Sequence, residues 1–369
     1  GGRPGPVRIE SIEVIAVRLP LRSPWHTAAG TLNGREVLLV RLRSDIGDGW
    51  GECAAFAEPG YSAEFVASAR IVLRDHLIPR LLAPTDIAAS EAATILSPVN
   101  GHRMAKSALE MAMLDAELRA AGTSFGDFLG VTRTHVSAGV AIGFAGSPAE
   151  LCDRVAAYVD EGYRRAKLKI APGRDLDYIA SVRDQFPALA LQVDANGAYD
   201  RDDLDHLANL DEFGLLLVEQ PFGEDDLVGH ARLAERLVTP VCLDEPIVSI
   251  DTTRTAVALG ACDVVNLKPG RVGGYLEARR IHDWCVQQSI PLWCGGMLET
   301  GLGRAANVAL AAMFGGGIGT PAAARAEAMT WLRFAGLQDK ADVLPDALNL
   351  HQRKDRKSTR LNSSHATLS

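Results

Sequence analysis

The 369-residue chain contains no run of about 20 apolar residues, so it offers no candidate membrane-spanning helix. It also has no excess of positive charge. Acidic residues number 46 against 38 basic ones, for a net charge of −8, which argues against a nucleic-acid or anionic-membrane partner. Cysteines are few: Cys53, Cys152, Cys242, Cys262, Cys285 and Cys294, none in CxxC spacing. That spacing argues against a zinc site and predicts buried thiols in a reducing, cytoplasmic setting. No secretory signal opens the chain, and its start, GGRPGP, reads as a fragment start or a tag scar. A glycine-rich dinucleotide loop is missing too, since VAIGFAGSP (140–148) holds only a loose GxxG.

What is present falls into two halves. In the first, VRIESIEVIAVRL (7–19) and REVLLVRLRS (35–44) alternate with strand periodicity, and DGWGEC (48–53) is a glycine-rich turn into a further strand. Residues 62–82 and 102–121 follow with helical spacing. Ala105, Leu109, Ala112, Met113 and Ala116 share one face. The pattern predicts a small α+β domain over residues 7–133. From about residue 135, short apolar runs alternate with amphipathic segments: VSAGVAIG, RAKLKI, LALQVDAN, GLLLVEQP, PVCLDEP, DVVNLKPG and PLWCGGM. Seven strand–helix repeats predict parallel βαβ units in a (β/α) barrel over 134–313, of α/β class.

The chemistry sits at the strand ends. Lys169, Asp194, Glu219, Asp244 and Lys268 close five successive runs, spaced 25, 25, 25 and 24 residues apart. Equivalent positions on successive barrel strands converge on one mouth. Singly, each carboxylate has an ordinary explanation as a helix cap or a solvated turn. In register, three carboxylates repel unless a cation lies between them. All-oxygen ligation favours Mg²⁺, with Mn²⁺ as a substitute and room left for substrate oxygens. In AKLKI (166–170), Lys167 and Lys169 point to the same face, which this register turns into the barrel. Lys268 approaches from across the ring. Desolvated lysines close to one another are expected to have lowered pKa values and to serve as bases. A cation on a substrate carboxylate would stabilise the enediolate formed by loss of the neighbouring proton.

KLK (167–169), VDANGAY (193–199), VEQPF (218–222), LDEP (243–246), NLKPGRVGG (266–274) and WCGGMLETGLGRAANVALA (293–311) resemble the o-succinylbenzoate synthase / N-succinylamino acid racemase family of the enolase superfamily. WGEC (50–53) and GHRMAKSALEMAMLDAEL (101–118) are similar to that family's capping domain. The resemblance spans residues 7 to 313. It implies a (β/α)7β-type TIM barrel with an N-terminal α+β cap. It implies Mg²⁺ held by Asp194, Glu219 and Asp244, Lys169 as acid/base with Lys167 lowering its pKa, and Lys268 as the opposing acid/base or a cationic stabiliser. Asn196 and Glu245 would surround the metal, and Gly295, Gly296 and Met297 would line the pocket for a succinyl arm. Arg271, three residues beyond Lys268, would tune that lysine.

The implied activity is Mg²⁺-dependent dehydration of 2-succinyl-6-hydroxy-2,4-cyclohexadiene-1-carboxylate to o-succinylbenzoate in menaquinone biosynthesis. The alternative on the same site is racemisation of N-succinyl or N-acyl amino acids. Both take a small-molecule carboxylate, and neither needs nucleic acid or membrane. A homo-oligomer stays open. SPWHTAAGT (23–31) is similar to the family's mobile lid loop; His26 within it is read as solvated, outside the chemistry. The pattern departs after Ala312. Residues 314–354 show no counterpart of an eighth strand, and DRKSTRLNSSH (355–365) reads like a translated sequencing adapter. The expectation is a lost reading frame near residue 313, unpaired edges on the first and seventh barrel strands, and a disordered tail over 355–369. An inactive chimaeric fragment is the reading of a different class.

Overall fold

A computed structural model describes residues 6–27, 30–131, 133 and 135–314. The expectations placed on residues 315–354 and 355–369 lie outside the described residues. No helix among those described is long and apolar enough to cross a membrane.

The N-terminal part is a three-stranded antiparallel sheet, β1 (Ile9–Thr27), β2 (Gly30–Ser44) and β3 (Gly47–Cys53), in that order. Within the segment expected to be a lid, Trp25–Thr27 and Gly30–Thr31 belong to the β1–β2 hairpin. After a register shift between Pro20 and Trp25, pairing resumes at Trp25–Leu32 and runs to Thr27–Gly30. This hairpin end meets the second half of the protein where the Phe144 N–H donates to the His26 carbonyl at 3.0 Å.

The helix Arg103–Ala120 lies against β3. Two glycines make that approach possible. A Cβ on Gly51 would stand 1.9 Å from the Ala108 carbonyl oxygen, and one on Gly49 2.0 Å from that of Ala112. The alternating glycines of DGWGEC therefore serve close packing as well as the turn.

The second half is a seven-stranded parallel sheet: β4 (Val140–Ile142), β5 (Arg165–Lys169), β6 (Ala190–Asp194), β7 (Val218–Glu219), β8 (Val241–Leu243), β9 (Val264–Leu267) and β10 (Leu292–Cys294). The strands stand in sequence order, and β4 and β10 form the two edges among the described residues. Several strands are shorter than their apolar runs suggest. In GLLLVEQP the regular strand is only Val218 and Glu219, with single backbone bonds to its neighbours at Leu216, Leu217 and Gln220, because buried parallel strands and buried loops are equally apolar. Helices between the strands start at short polar caps. Ser147, Asp226 and Ser249 accept the N–H of Glu150, Gly229 and Thr252.

Glutamates of the first half cap helices of the second. Glu52, on β3, accepts the backbone N–H of Thr300 at 2.8 Å and of Gly303 at 3.0 Å, at the start of the helix Gly301–Ala311. Glu110 accepts the N–H of Leu276, at the start of Tyr275–Gln287, at 3.0 Å. Both carboxylates are buried and satisfy helix-end donors that otherwise have no partner.

Two outcomes test this packing. Gly51→Ala drives a methyl into helix backbone that cannot rotate away, so denaturant unfolding should register a loss of about 3 kcal/mol; a loss under roughly 0.5 kcal/mol counts against the close approach. Burial pushes the Glu110 carboxyl up to about 7 from 4.5, despite the backbone N–H groups facing it. Between those values the folded chain holds a proton that the unfolded chain has released. The Glu110 contribution is therefore present at low pH and fades as pH rises to about 7. Glu110→Gln should match the wild type near pH 4.5 and exceed it in unfolding midpoint at pH 8.

Candidate active site

The ladder explains the regular spacing. Lys169 pairs with Asp194 across β5–β6, and Asp194 with Glu219 across β6–β7. Glu219 then pairs with Cys242, two residues before Asp244, so the carboxylate after β8 falls on the same face. The first-half domain covers this end of the sheet. A cavity of about 680 Å³ lies between them, with Trp25, Phe56 and Tyr61 on one wall and Lys167, Lys169, Asp194, Asn196 and Lys268 on the other. Gly295, Gly296 and Met297 line it as well. Gly295 has no room for a side chain: its Cβ would sit 2.2 Å from Asn266 Oδ1 and 2.7 Å from Lys268 Cε.

The lysines are interior groups. The side chains of Lys167, Lys169 and Lys268 are 14%, 10% and 7% exposed, against 1%, 0% and 0% for Asp194, Glu219 and Asp244. These values exclude a solvent-facing lysine edge. Lys167 Nζ lies 2.7 Å from Asp194 Oδ2 and donates to both Glu219 oxygens at 3.0 and 3.1 Å. It also stands 5.1 Å from the centre of the Trp293 ring. Lys169 donates to Asp194 Oδ2 at 2.7 Å and to Asn196 Oδ1. Lys268 donates to Asp244 Oδ2 at 2.6 Å. Asn196 in turn donates to Glu245 at 3.1 Å. Arg271 reaches Asp244 at 3.5 Å and the Glu245 carbonyl at 3.3 Å.

The carboxylates set the charge on two of these lysines. Burial opposes the charge on Lys167, but Asp194, Glu219 and Asp244 outweigh it and hold the ammonium well above its ordinary range. Burial is likewise overcome at Lys268 by Asp244, and its pKa is raised. The fold places an anion against each of these ammoniums. The carboxylates diverge in turn. Burial favours the neutral form of Asp194, yet Lys167 and Lys169 keep it far below the usual range. Glu219 is pushed up to about 7 by burial and the Asp194 charge, against the pull of Lys167.

In this arrangement no three His, Cys, Asp or Glu side chains among the described residues form a ready-made metal cluster, and the Lys167 ammonium stands between Asp194 and Glu219. The donor chemistry nonetheless fits a hard divalent cation. Three buried carboxylates stand on adjacent strand ends, and Asp244 Oδ1 and Glu245 Oε2 are buried without a hydrogen-bond partner.

Three further residues escaped the sequence reading. Asn266 donates to Glu219 Oε1 at 2.8 Å; alternation from Lys268 places it on the inward face and could have found it. Gln220 accepts the Asp244 N–H at 3.1 Å through Oε1, and its Nε2 donates to the Phe222 carbonyl at 2.9 Å. Tyr61 Oη accepts from Lys268 Nζ at 2.9 Å, and no local pattern signals that contact. His26 hydrogen-bonds Thr31 at 2.8 Å and lines a separate cavity with Glu150, Arg154 and Arg174.

Residues 9–130 match the family model described as mandelate racemase / muconate lactonizing enzyme, N-terminal domain, and residues 150–342 match that described as enolase C-terminal domain-like. The chain belongs to the enolase superfamily. It is 53% identical over 308 residues to the N-succinylamino acid racemase of an Amycolatopsis species, covering 83% of this chain and 84% of that one. It is 44% identical over 305 residues to the o-succinylbenzoate synthase of Geobacillus stearothermophilus, covering 82% and 81%. A solved structure of an enolase superfamily member from Listeria innocua superposes with a TM-score of 0.81 at 39% identity, covering 84% of each chain. Within the superfamily architecture, the lysines and carboxylates described above stand at the strand ends facing the capping domain.

Lys167→Met should expose how the network balances. It leaves Asp194 and Glu219 adjacent with one cation fewer, at a cost of about 3–5 kcal/mol. The expected result is a lower unfolding midpoint in EDTA, with more of it restored by Mg²⁺ than the same Mg²⁺ adds to the wild type. Equal Mg²⁺ shifts in both proteins would refute the carboxylate assignment.

Proposed function

We propose that this chain removes a proton alpha to a carboxylate, dehydrating 2-succinyl-6-hydroxy-2,4-cyclohexadiene-1-carboxylate to o-succinylbenzoate, and racemising N-succinylamino acids on the same site. One observation carries the reading. Two buried lysines, Lys169 and Lys268, border one cavity with a band of carboxylates between them. The relatives named for each reaction support it.

Asp194, Glu219 and Asp244 would hold a magnesium ion, or manganese in its place, which would supply positive charge to stabilise an enediolate. Lys169 as the free amine then takes the α-proton, and the C–H electron pair moves into the carboxylate. In dehydration the electrons return to form the ring double bond as the neighbouring C–O bond breaks. Hydroxide leaves with a proton from the Lys169 ammonium, as water. In racemisation Lys268, as the ammonium on the opposite side, returns a proton to the other face. Asn196, hydrogen-bonded to both Lys169 and Glu245, holds the first lysine in place. Gly295 and Gly296 leave backbone open to a succinyl arm. The same reading places the enzyme in the cytoplasm, on the menaquinone pathway.

Proton NMR in D₂O, with Mg²⁺ and both substrates beside an EDTA control, tests this. Ring dehydration with loss of the amino acid α-proton signal is the expected pair. Dehydration without exchange would remove the racemase half; silence in both from folded protein would sink the site assignment.

A further inference from the structure

We propose that the Tyr61 hydroxyl of the capping domain aims Lys268, so that proton transfer on this lysine's side depends on the cap while transfer on the Lys169 side does not. The inference rests on the two-lysine reading above and concerns a residue which that reading leaves unassigned.

The partners of the two lysines differ in origin. Both fixed partners of Lys169, Asp194 and Asn196, come from the barrel. Lys268 has one barrel partner, Asp244 Oδ2 at 2.6 Å, and one cap partner, Tyr61 Oη at 2.9 Å. An ammonium has three N–H donors. These contacts hold each Nζ at two points beside the cavity that both lysines line. Deleting either partner of Lys268 lets the remaining donor swing.

Tyr61 is itself fully committed. Its oxygen accepts from Lys268 and from Arg271 Nη2, and its own proton goes to Asp244 Oδ2 at 3.3 Å. That uses both lone pairs and the single donor of a phenol. Lys268 and Arg271 also stand 5.5 and 5.1 Å from the centre of its ring. The ring is held from the cap side by the edge of Phe56, centroids 5.2 Å apart, and Phe56 in turn carries the Arg35 guanidinium at 4.3 Å. Arg35 donates to the carbonyls of Ala54 and Ala55, at 2.5 and 2.6 Å. The position of the phenol is thus set by the cap, while the two cations that it joins belong to the barrel.

Dehydration needs proton abstraction from one side; racemisation needs both. Tyr61 is therefore a positioning residue for the second side. Tyr61→Phe keeps the ring and deletes the hydroxyl. The separate D and L forms of one N-succinylamino acid, in D₂O with Mg²⁺, report the two sides independently, and Lys268→Gln identifies which form Lys268 serves. The expected result is at least a tenfold greater slowing of α-proton loss from that form than from its mirror image. Equal slowing of both, or selective slowing of the other, overturns the proposal.

A second readout needs no metal and no turnover. In EDTA, the unfolding midpoints of Tyr61→Phe, Lys268→Met and the double variant should be non-additive, because each single change removes the same hydrogen bond. Additive shifts overturn the contact. If the wild type exchanges neither enantiomer, the racemase half of the proposed function falls by itself, and the unfolding cycle still decides whether Tyr61 holds Lys268.

Discussion

Charges of both signs buried against one another are the constraint on which the site depends. Asp194, Glu219 and Asp244 are almost wholly removed from solvent, and neighbouring anions in a low-dielectric interior repel strongly. Lys167 between Asp194 and Glu219, Lys169 on Asp194, and Lys268 with Arg271 on Asp244 make the arrangement tolerable. The pairs contribute little net stability once desolvation is counted, but loss of one member strands its partner.

The capping domain is part of the same arrangement. Glu52 and Glu110 close the N-termini of two barrel helices, and Arg35 reaches from β2 to the carbonyl of Met297 at 3.4 Å. These bonds fix the cap's position over the carboxylate band. The fixed cap in turn presents Tyr61 to Lys268. Interdomain capping and active-site geometry are thereby coupled through buried polar contacts rather than through apolar area alone.

Much of the architecture was legible along the chain. The seven apolar runs correspond to the seven parallel strands, and the 25-residue step corresponds to cross-strand pairing of Lys169 with Asp194 and Asp194 with Glu219. Strand length was less legible. Val218 looks no different in sequence from the equally apolar Leu215 to Leu217 before it, yet the regular strand begins only there. Pairing of Trp25 to Thr27 with Gly30 to Leu32 was not legible, because it resumes only after a register shift beyond Pro20.

The sequence by itself determined the α/β repeat, the face on which each strand-end side chain lies, and the donor types available to a cation. Those follow from periodicity and spacing within one or two βα units. Only the tertiary structure decided which ammonium meets which carboxylate, and so which anions hold Lys167 and Lys268 above their ordinary range. It alone brought Tyr61 to Lys268 across 207 positions of chain. The physical reason is that electrostatic shifts depend on distance and burial in space, and contacts between domains leave no periodic trace in either partner's sequence.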